Sequence, residues 1–140
     1  MPILVFAQTA EPRVDLAALV RNATRHFGLD LEVLGAHDTS ACVRLAGSSF
    51  TLRARAATAP DLARAHRAEL AGRAAGMSDL AARCATVWEI EPEAGATEHA
   101  LHQLCAIAAS AALGPVLPPD DSTLYGGRGA MQRADALGAG

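Results

Sequence analysis

The sequence predicts an α+β fold with a mainly antiparallel sheet, and three observations lead to this prediction. Some segments have the length of a strand, and their residues either alternate between apolar and polar or are all apolar. These segments lie between others in which apolar residues recur every three or four positions. The segments follow the order strand, helix, three strands, helix, strand, helix, which fits a ferredoxin-like variant with helices packed on one face of the sheet. Hydrophobic residues make up 51% and charged residues 19% of the 140 residues, a composition that excludes a disordered chain.

The first strand is predicted at residues 3–7, where every residue is apolar, and this pattern indicates a central strand buried on both faces. A sheet centre without a polar face needs a cover on its outer side. We expect the C-terminal tail or a second subunit to provide that cover. A helix is predicted between Pro12 and Phe27, because its apolar residues share one face and Gly28 is a suitable C-terminal stop.

Three strands are predicted between residues 31 and 55, because apolar and polar residues alternate there. Gly47-Ser48 is interpreted as the two-residue loop of a hairpin between the second and third of these strands. This loop gives the pairs Leu45–Phe50, Val43–Leu52 and Arg44–Thr51. It keeps the apolar side chains of both strands on one face of the sheet.

Two helices, a strand and a long helix are predicted in the second half of the chain. The first helix begins at Thr58 with Pro60 in its first turn, and a break at Met77 precedes a short helix. A strand at residues 86–91 follows, and the long helix then extends from Thr97 to Ala112.

We expect residues 1–125 to form a single α+β domain and residues 126–140, which are rich in Gly and Ala, to form a flexible tail. The apolar stretch at residues 104–117 is too short to span a bilayer. The N-terminus lacks the basic region of a signal peptide. These features predict a cytoplasmic protein with no membrane partner.

Charge and cysteine usage exclude several function classes. All 12 basic residues are arginine and the formal net charge is -3, so nucleic acid is not an expected partner. Without lysine, neither a Schiff base nor a P-loop is possible, and a chain rich in Arg and Ala is typical of a GC-rich bacterial source. Cys42, Cys84 and Cys105 show no CxxC spacing, so neither a disulfide framework nor a zinc ribbon is predicted, and no cofactor is expected.

Three arginines of the predicted hairpin, Arg44, Arg53 and Arg55, are expected to project from one face. One interpretation is a solvated face with cross-strand ion pairs, for example between Glu32 and Arg44. The other is a binding surface for a protein or an anion, because arginine is favoured at interfaces. In that interpretation Trp88 is a further candidate binding residue.

His66 is predicted on the inward stripe of its helix, between Leu62 and Leu70, with Glu69 one helical step away. A histidine in such a position can be a satisfied core residue, an interface residue or a general base. If it is a base, His66 and Glu69 are the candidate catalytic residues. No Ser or Cys can be placed beside His66 from the sequence, so no triad is predicted.

The candidate metal ligands are His99, His102 and Cys105, which follow one another at three-residue spacing. His102 can meet either neighbour on a helix, but His99 and Cys105 lie roughly 120° apart around the helix axis. One ion therefore cannot easily take all three ligands from a straight helix. In the main interpretation these residues bind no metal and are an exposed His, a flanking His and a buried thiol. The alternative is a two-ligand site completed by another element.

The small-residue helix at residues 101–109, LHQLCAIAA, completes the order of elements begun by the apolar first strand and the β-meander. Over roughly residues 1–125 this layout resembles small bacterial domains of unknown function and some immunity proteins of bacterial toxin systems. The resemblance implies a binding protein without catalysis.

The sequence favours a small non-catalytic binding or regulatory protein that makes protein–protein contacts at its sheet face and self-associates. The alternative is a small-molecule-binding domain or an enzyme with a pocket around His66 and His102. An enzyme should show convergent polar groups in a concave pocket, whereas a binding module should show a flat exposed patch and a filled interior.

Overall fold

The α+β class and the antiparallel sheet that the sequence predicts are confirmed by a computed structural model, which describes residues 2–138. The strands are β1 (Ile3–Ala7), β2 (Leu31–Ala36), β3 (Ser40–Leu45), β4 (Ser48–Ala56), β5 (Thr86–Pro92) and β6 (Val116–Leu117). The helices are α1 (Leu16–Phe27), α2 (Ala59–Gly72), α3 (Met77–Ala82), α4 (Glu98–Ala112) and α5 (Gly127–Gly138). The sheet order is β2-β3-β4-β5-β1-β6, and every neighbouring pair is antiparallel. Among the helices of residues 2–138, none has the length and apolar character needed to cross a membrane.

Side-chain caps determine where three of the helices begin. Asp15 and Thr97 each accept a hydrogen bond from the backbone N–H three residues later, at the starts of α1 and α4. At the start of α2, Thr58 and Asp61 form a reciprocal capping box. A cap of this kind contributes about 1 kcal/mol to stability. The caps confirm the helix starts predicted at Thr58 and Thr97, whereas α1 begins later than predicted, at Leu16.

Helices cover both faces of the sheet, which corrects the prediction that they pack on one face. One face, with α1, α4 and α5, forms the major core around Val5 and Trp88. The opposite face, with α2 and α3, forms the minor core around Leu4 and Phe6. Alternate residues of a strand point to opposite faces, so the apolar β1 contributes to both cores. The outer side of β1 is therefore covered by α2 and α3, where the C-terminal tail or a second subunit was expected.

The β3–β4 hairpin keeps the predicted faces but has a different register. Its turn residues are Ala46 and Gly47, which have φ angles of 51° and 80°. Positive φ at both positions defines the two-residue turn that matches the right-handed twist of a hairpin. Val43 consequently pairs with Phe50, where Leu52 was predicted. Because Phe50 and Leu52 are two positions apart, every side chain still points to its predicted face.

The predicted flexible tail is wrong for residues 127–138, which form α5. Ala130 and Ala134 are fully buried on this helix. The Nδ1 atom of His99 in α4 lies 2.7 Å from the carbonyl oxygen of Ala134. Small side chains on both helices allow this close approach, so the packed structure extends beyond residue 125. Residues 139 and 140 of the predicted tail lie outside the described residues.

Candidate functional site

One half of the minor-core side of the sheet is open to solvent. Here α2 and α3 pack over β1, β5 and β6, whereas the adjoining surface of β2, β3, β4 and the end of β5 carries polar side chains. We call this surface the open face. Its side chains are those of Glu32, Cys42, Arg44, Thr51, Arg53 and Glu91.

The two arginines at the centre of the open face are each paired with a glutamate. The Nε atom of Arg44 lies 3.2 Å from Oε2 of Glu32 on the neighbouring strand, which confirms the predicted pair. The Nη1 atom of Arg53 lies 3.7 Å from Oε2 of Glu91. All four side chains are roughly half exposed, so each pair contributes about 0.2–1 kcal/mol at most. The charges of the open face are therefore balanced, which does not favour the predicted alternative of an anion site.

Arg55 also projects from β4 on this side, but its guanidinium is engaged in the fold. It lies 2.6 Å and 3.0 Å from the two carboxylate oxygens of Asp61, and its Nε donates to Glu89 at 3.1 Å. Asp61 is only 5% exposed. Burial alone would raise the pKa of Asp61, but hydrogen bonds from Arg55 and Thr58 hold it below its ordinary value. Arg55 thus joins the first turn of α2 to the sheet and is not free to bind a partner.

Trp88 does not lie on the open face, which corrects its predicted place in a binding surface. Its side chain is fully buried in the major core. Its indole N–H donates a hydrogen bond to the backbone oxygen of Arg13 at 3.1 Å. This contact satisfies the polar end of the ring and holds the loop before α1.

His66 is exposed on the outer side of α2, which corrects its predicted inward position. Ala65 and Ala68 form the buried stripe of this helix, because small side chains let α2 approach the sheet closely. Glu69 accepts a hydrogen bond from the backbone N–H of Ser78 at 3.1 Å. That bond is the main reason why the pKa of Glu69 lies below its ordinary value. The predicted alternative role of Glu69 as a base beside His66 is replaced by a role in capping α3.

The predicted pocket around His66 and His102 does not form. His66 lies on α2, which packs on the minor-core face, whereas His102 lies on α4, which packs on the major-core face. The sheet separates the two histidines. A common pocket for both is therefore excluded by the arrangement of the helices.

The three candidate metal ligands on α4 point to different surroundings. His99 contacts the backbone of α5, and the side chain of His102 is 18% exposed beside Glu98, with 3.8 Å between Nε2 and Oε2. Cys105 is fully buried, which raises the pKa of its thiol to about 12. No group of three or more potential ligands within residues 2–138 could hold a metal ion.

An open cavity beside the N-terminus of α1 was not predicted from the sequence. It has a volume of about 560 Å³, and its charged lining residues are Glu11, Arg13, Asp15 and Asp38. The buried Thr86 supports the loop from below, because its hydroxyl donates to the backbone oxygen of Thr9 at 2.9 Å. Glu11, Arg13 and Asp15 come from the loop before α1, whereas Asp38 comes from the turn between β2 and β3. The spacing of residues in the sequence did not indicate that these two segments meet.

Comparison with known proteins gives no relative from which a site could be transferred. No protein-family model matches the chain, and neither a curated protein nor a solved structure matches it.

Proposed function

We propose that this chain is a small non-catalytic binding or regulatory protein of the cytoplasm that acts through protein–protein contacts made by its open face. The observation that carries the proposal is the exposed half of a sheet whose remaining surface is packed under helices. The hydrogen-bonded strands β3 and β4 present Arg44, Thr51 and Arg53 on this exposed surface. An exposed sheet surface suits a macromolecular partner better than a small ligand, which needs a concave site.

The charges on the open face support a protein partner with its own alternating charges. Each arginine lies beside a glutamate, so a partner meets positive and negative groups at fixed positions along neighbouring strands. Such an arrangement favours a specific orientation more than high affinity. The partner can be a heterologous protein or a second copy of this chain.

The surroundings of the cysteines support a role without catalysis. Burial raises the pKa of Cys84 to about 11 and that of Cys105 to about 12, so neither is a thiolate at neutral pH. Cys42 lies on the open face with its Sγ 3.9 Å from the hydroxyl of Thr51. Within residues 2–138, no histidine forms a hydrogen bond with a cysteine.

The proposal is tested by site-specific photo-crosslinking in cells. A photoreactive amino acid replaces Arg53 on the open face or, as a matched control, Arg67 on α2. The two arginines are alike: their side chains are 58% and 63% exposed, and each forms one long ion pair, at 3.7 Å and 3.6 Å. We expect protein adducts of discrete mass from position 53 and none of the same mass from position 67. The proposal fails if position 53 gives no adduct or if both positions give the same adducts.

A second candidate function, binding of a small charged molecule, is favoured by the cavity beside α1. Its volume of about 560 Å³ is in the range of ligand sites. Arg13 and the carboxylates of Glu11 and Asp15 would suit a ligand that carries both charges. The test is a native mass spectrum, in which a small molecule retained by the wild type and lost from Arg13→Ala would favour this candidate over the first.

A further inference from the structure

The outer face of α1 carries positive charge and no negative charge. Its side chains are exposed to solvent, whereas other sides of the helix pack against α4 and β2. The helix Leu16–Phe27 contains two arginines and no acidic residue. We call this outer surface the α1 face, and its residues, all exposed, are Ala17, Val20, Arg21, Thr24 and Arg25.

The two arginines of the α1 face have no carboxylate partner. Within residues 2–138, neither Arg21 nor Arg25 forms an ion pair. By contrast, the arginines at the centre of the open face and Arg64 of α2 are each paired with a carboxylate of the same chain. Arg73 and Arg83 are also unpaired in the described chain, but each lies alone at the C-terminal end of a helix. Arg21 and Arg25 instead lie about one turn apart on the same face.

The fold accounts for one of these two charges but not for the other. Arg25 lies in the last turn of α1, where the helix dipole favours a cation. Arg21 lies in the middle of the helix, and a like charge four positions away slightly destabilises a helix. In the described chain, no ion pair of Arg21 offsets this repulsion. Its guanidinium is therefore available to a carboxylate from another molecule.

We propose that the α1 face binds an acidic helix of a partner protein, which places two carboxylates one turn apart opposite Arg21 and Arg25. Charge complementarity selects this occupant, because each guanidinium then meets a carboxylate that its own chain does not supply. Ala17 and Thr24 have small side chains, so a partner helix can approach α1 closely. Val20 is 37% exposed and offers an apolar contact beside the arginines.

Other anionic partners fit the α1 face less well. A protein that binds nucleic acid through its backbone makes about 6–10 phosphate contacts, whereas this face offers two cations on a chain of formal net charge -3. A helix that binds a membrane surface inserts its apolar side into the lipid. The apolar side of α1 is not available for insertion, because Leu19 and Ala23 are fully buried in the major core.

The α1 face lies on the opposite side of the sheet from the open face, because α1 packs on the major-core side. Binding at the α1 face goes beyond the proposed function, since each surface can bind a partner without the other. A chain that uses both surfaces would connect two different proteins.

An NMR titration of the isotope-labelled full chain with a designed peptide tests the proposal. The probe is an alanine-based helix of about 15 residues with two glutamates four positions apart, and the control probe has glutamines in their place. We expect the glutamate peptide to shift the amide signals of residues 17–25 and the glutamine peptide to leave them unchanged. The double variant Arg21→Gln/Arg25→Gln should bind the glutamate peptide about tenfold more weakly. The control Arg73→Gln/Arg83→Gln changes the net charge equally and should bind it like the wild type.

Three outcomes would overturn the proposal. The glutamate peptide at millimolar concentration could leave the signals of residues 17–25 unchanged, or the double variant of α1 could bind it as well as the wild type does. Alternatively, an oligothymidylate or phosphatidylglycerol vesicles could shift the same signals at a lower concentration than the peptide, which would assign the face to phosphate groups. The fluorescence of the buried Trp88 verifies that each variant is folded. Adducts at position 53 would leave the proposed function standing in all three cases.

Discussion

Replacing Arg55 by methionine should destabilise the protein far more than the same change at Arg53, although the two residues lie on one strand and one side of the sheet. Arg55→Met removes the hydrogen bonds at 2.6 Å and 3.0 Å to Asp61 and the bond at 3.1 Å to Glu89. It leaves the Asp61 carboxylate, which is 5% exposed, with only its contacts to Thr58. Methionine retains the packing of the alkyl chain, so the change in stability reports mainly the lost ion pair.

The magnitude follows from the burial of the two pairs. Removing one partner of a buried pair costs about 3–5 kcal/mol. The Arg55 side chain is 35% exposed, so water partly replaces the lost guanidinium beside Asp61. We therefore expect the free energy of unfolding to fall by about 2–3 kcal/mol. Arg53 and Glu91 are more than half exposed at 3.7 Å, and Arg53→Met should cost no more than about 0.5 kcal/mol.

Urea unfolding measured by tryptophan fluorescence gives both values. Trp88 is the one tryptophan of the chain and is fully buried, so its emission reports global unfolding. Equal losses for the two variants, within about 0.5 kcal/mol, would refute the assignment of Arg55 to the fold and of Arg53 to the open face.

Three further changes test the structure elsewhere. Gly114→Ala should destabilise the chain by about 1–3 kcal/mol or more, because an added methyl group would overlap the Phe6 carbonyl oxygen; Gly35→Ala, where the space is open, is the control in urea unfolding. A thiol reagent should modify the partly exposed Cys42 in the native protein, and Cys84 and Cys105 only after unfolding, since burial raises their pKa values; equal native rates would contradict this order. Burial lowers the pKa of His102, although the nearby Glu98 acts in the opposite direction. Below about pH 6.5 the unfolded chain therefore binds more protons than the folded chain. The free energy of unfolding should consequently fall as the pH falls through this range. His102→Gln should flatten that part of the pH profile, and an unchanged profile would show that His102 is not the group responsible.

The parts of the fold that depend on residue periodicity could be predicted from the sequence. The uniformly apolar Ile3–Ala7 predicted a central strand, and β1 has neighbours on both sides. Period-two alternation placed Arg44 and Arg53 on one face even though the hairpin register was wrong, because a displacement of two residues preserves the face. The turn itself required positive φ at Ala46, which the residue type does not favour.

The parts that depend on packing between distant segments could not be predicted in this way. On α2, the stripe with Leu62, His66 and Leu70 is the more obvious apolar face, but Ala65 and Ala68 allow a closer approach to the sheet. Similarly, Gly and Ala residues after position 126 suggested a tail, whereas the same small residues let α5 pack tightly against α4.

The candidate site was predictable in outline only. Alternation identified the arginine-bearing face and the pair between Glu32 and Arg44. It could not show that Arg55 is bound by Asp61, because that contact depends on where α2 begins relative to β4. The capping-box spacing from Thr58 to Asp61 was the one local signal that Asp61 has a structural role.

The central claim, that the chain binds protein partners and carries no small-molecule chemistry, is tested most directly by a native mass spectrum of the purified protein. It reports subunit number, bound metal and any retained small molecule together. We expect the mass of the chain and of its dimer with no additional mass. A monomer that carries a stoichiometric metal ion or small molecule would contradict the claim and would direct attention to the cavity beside α1 and to His102.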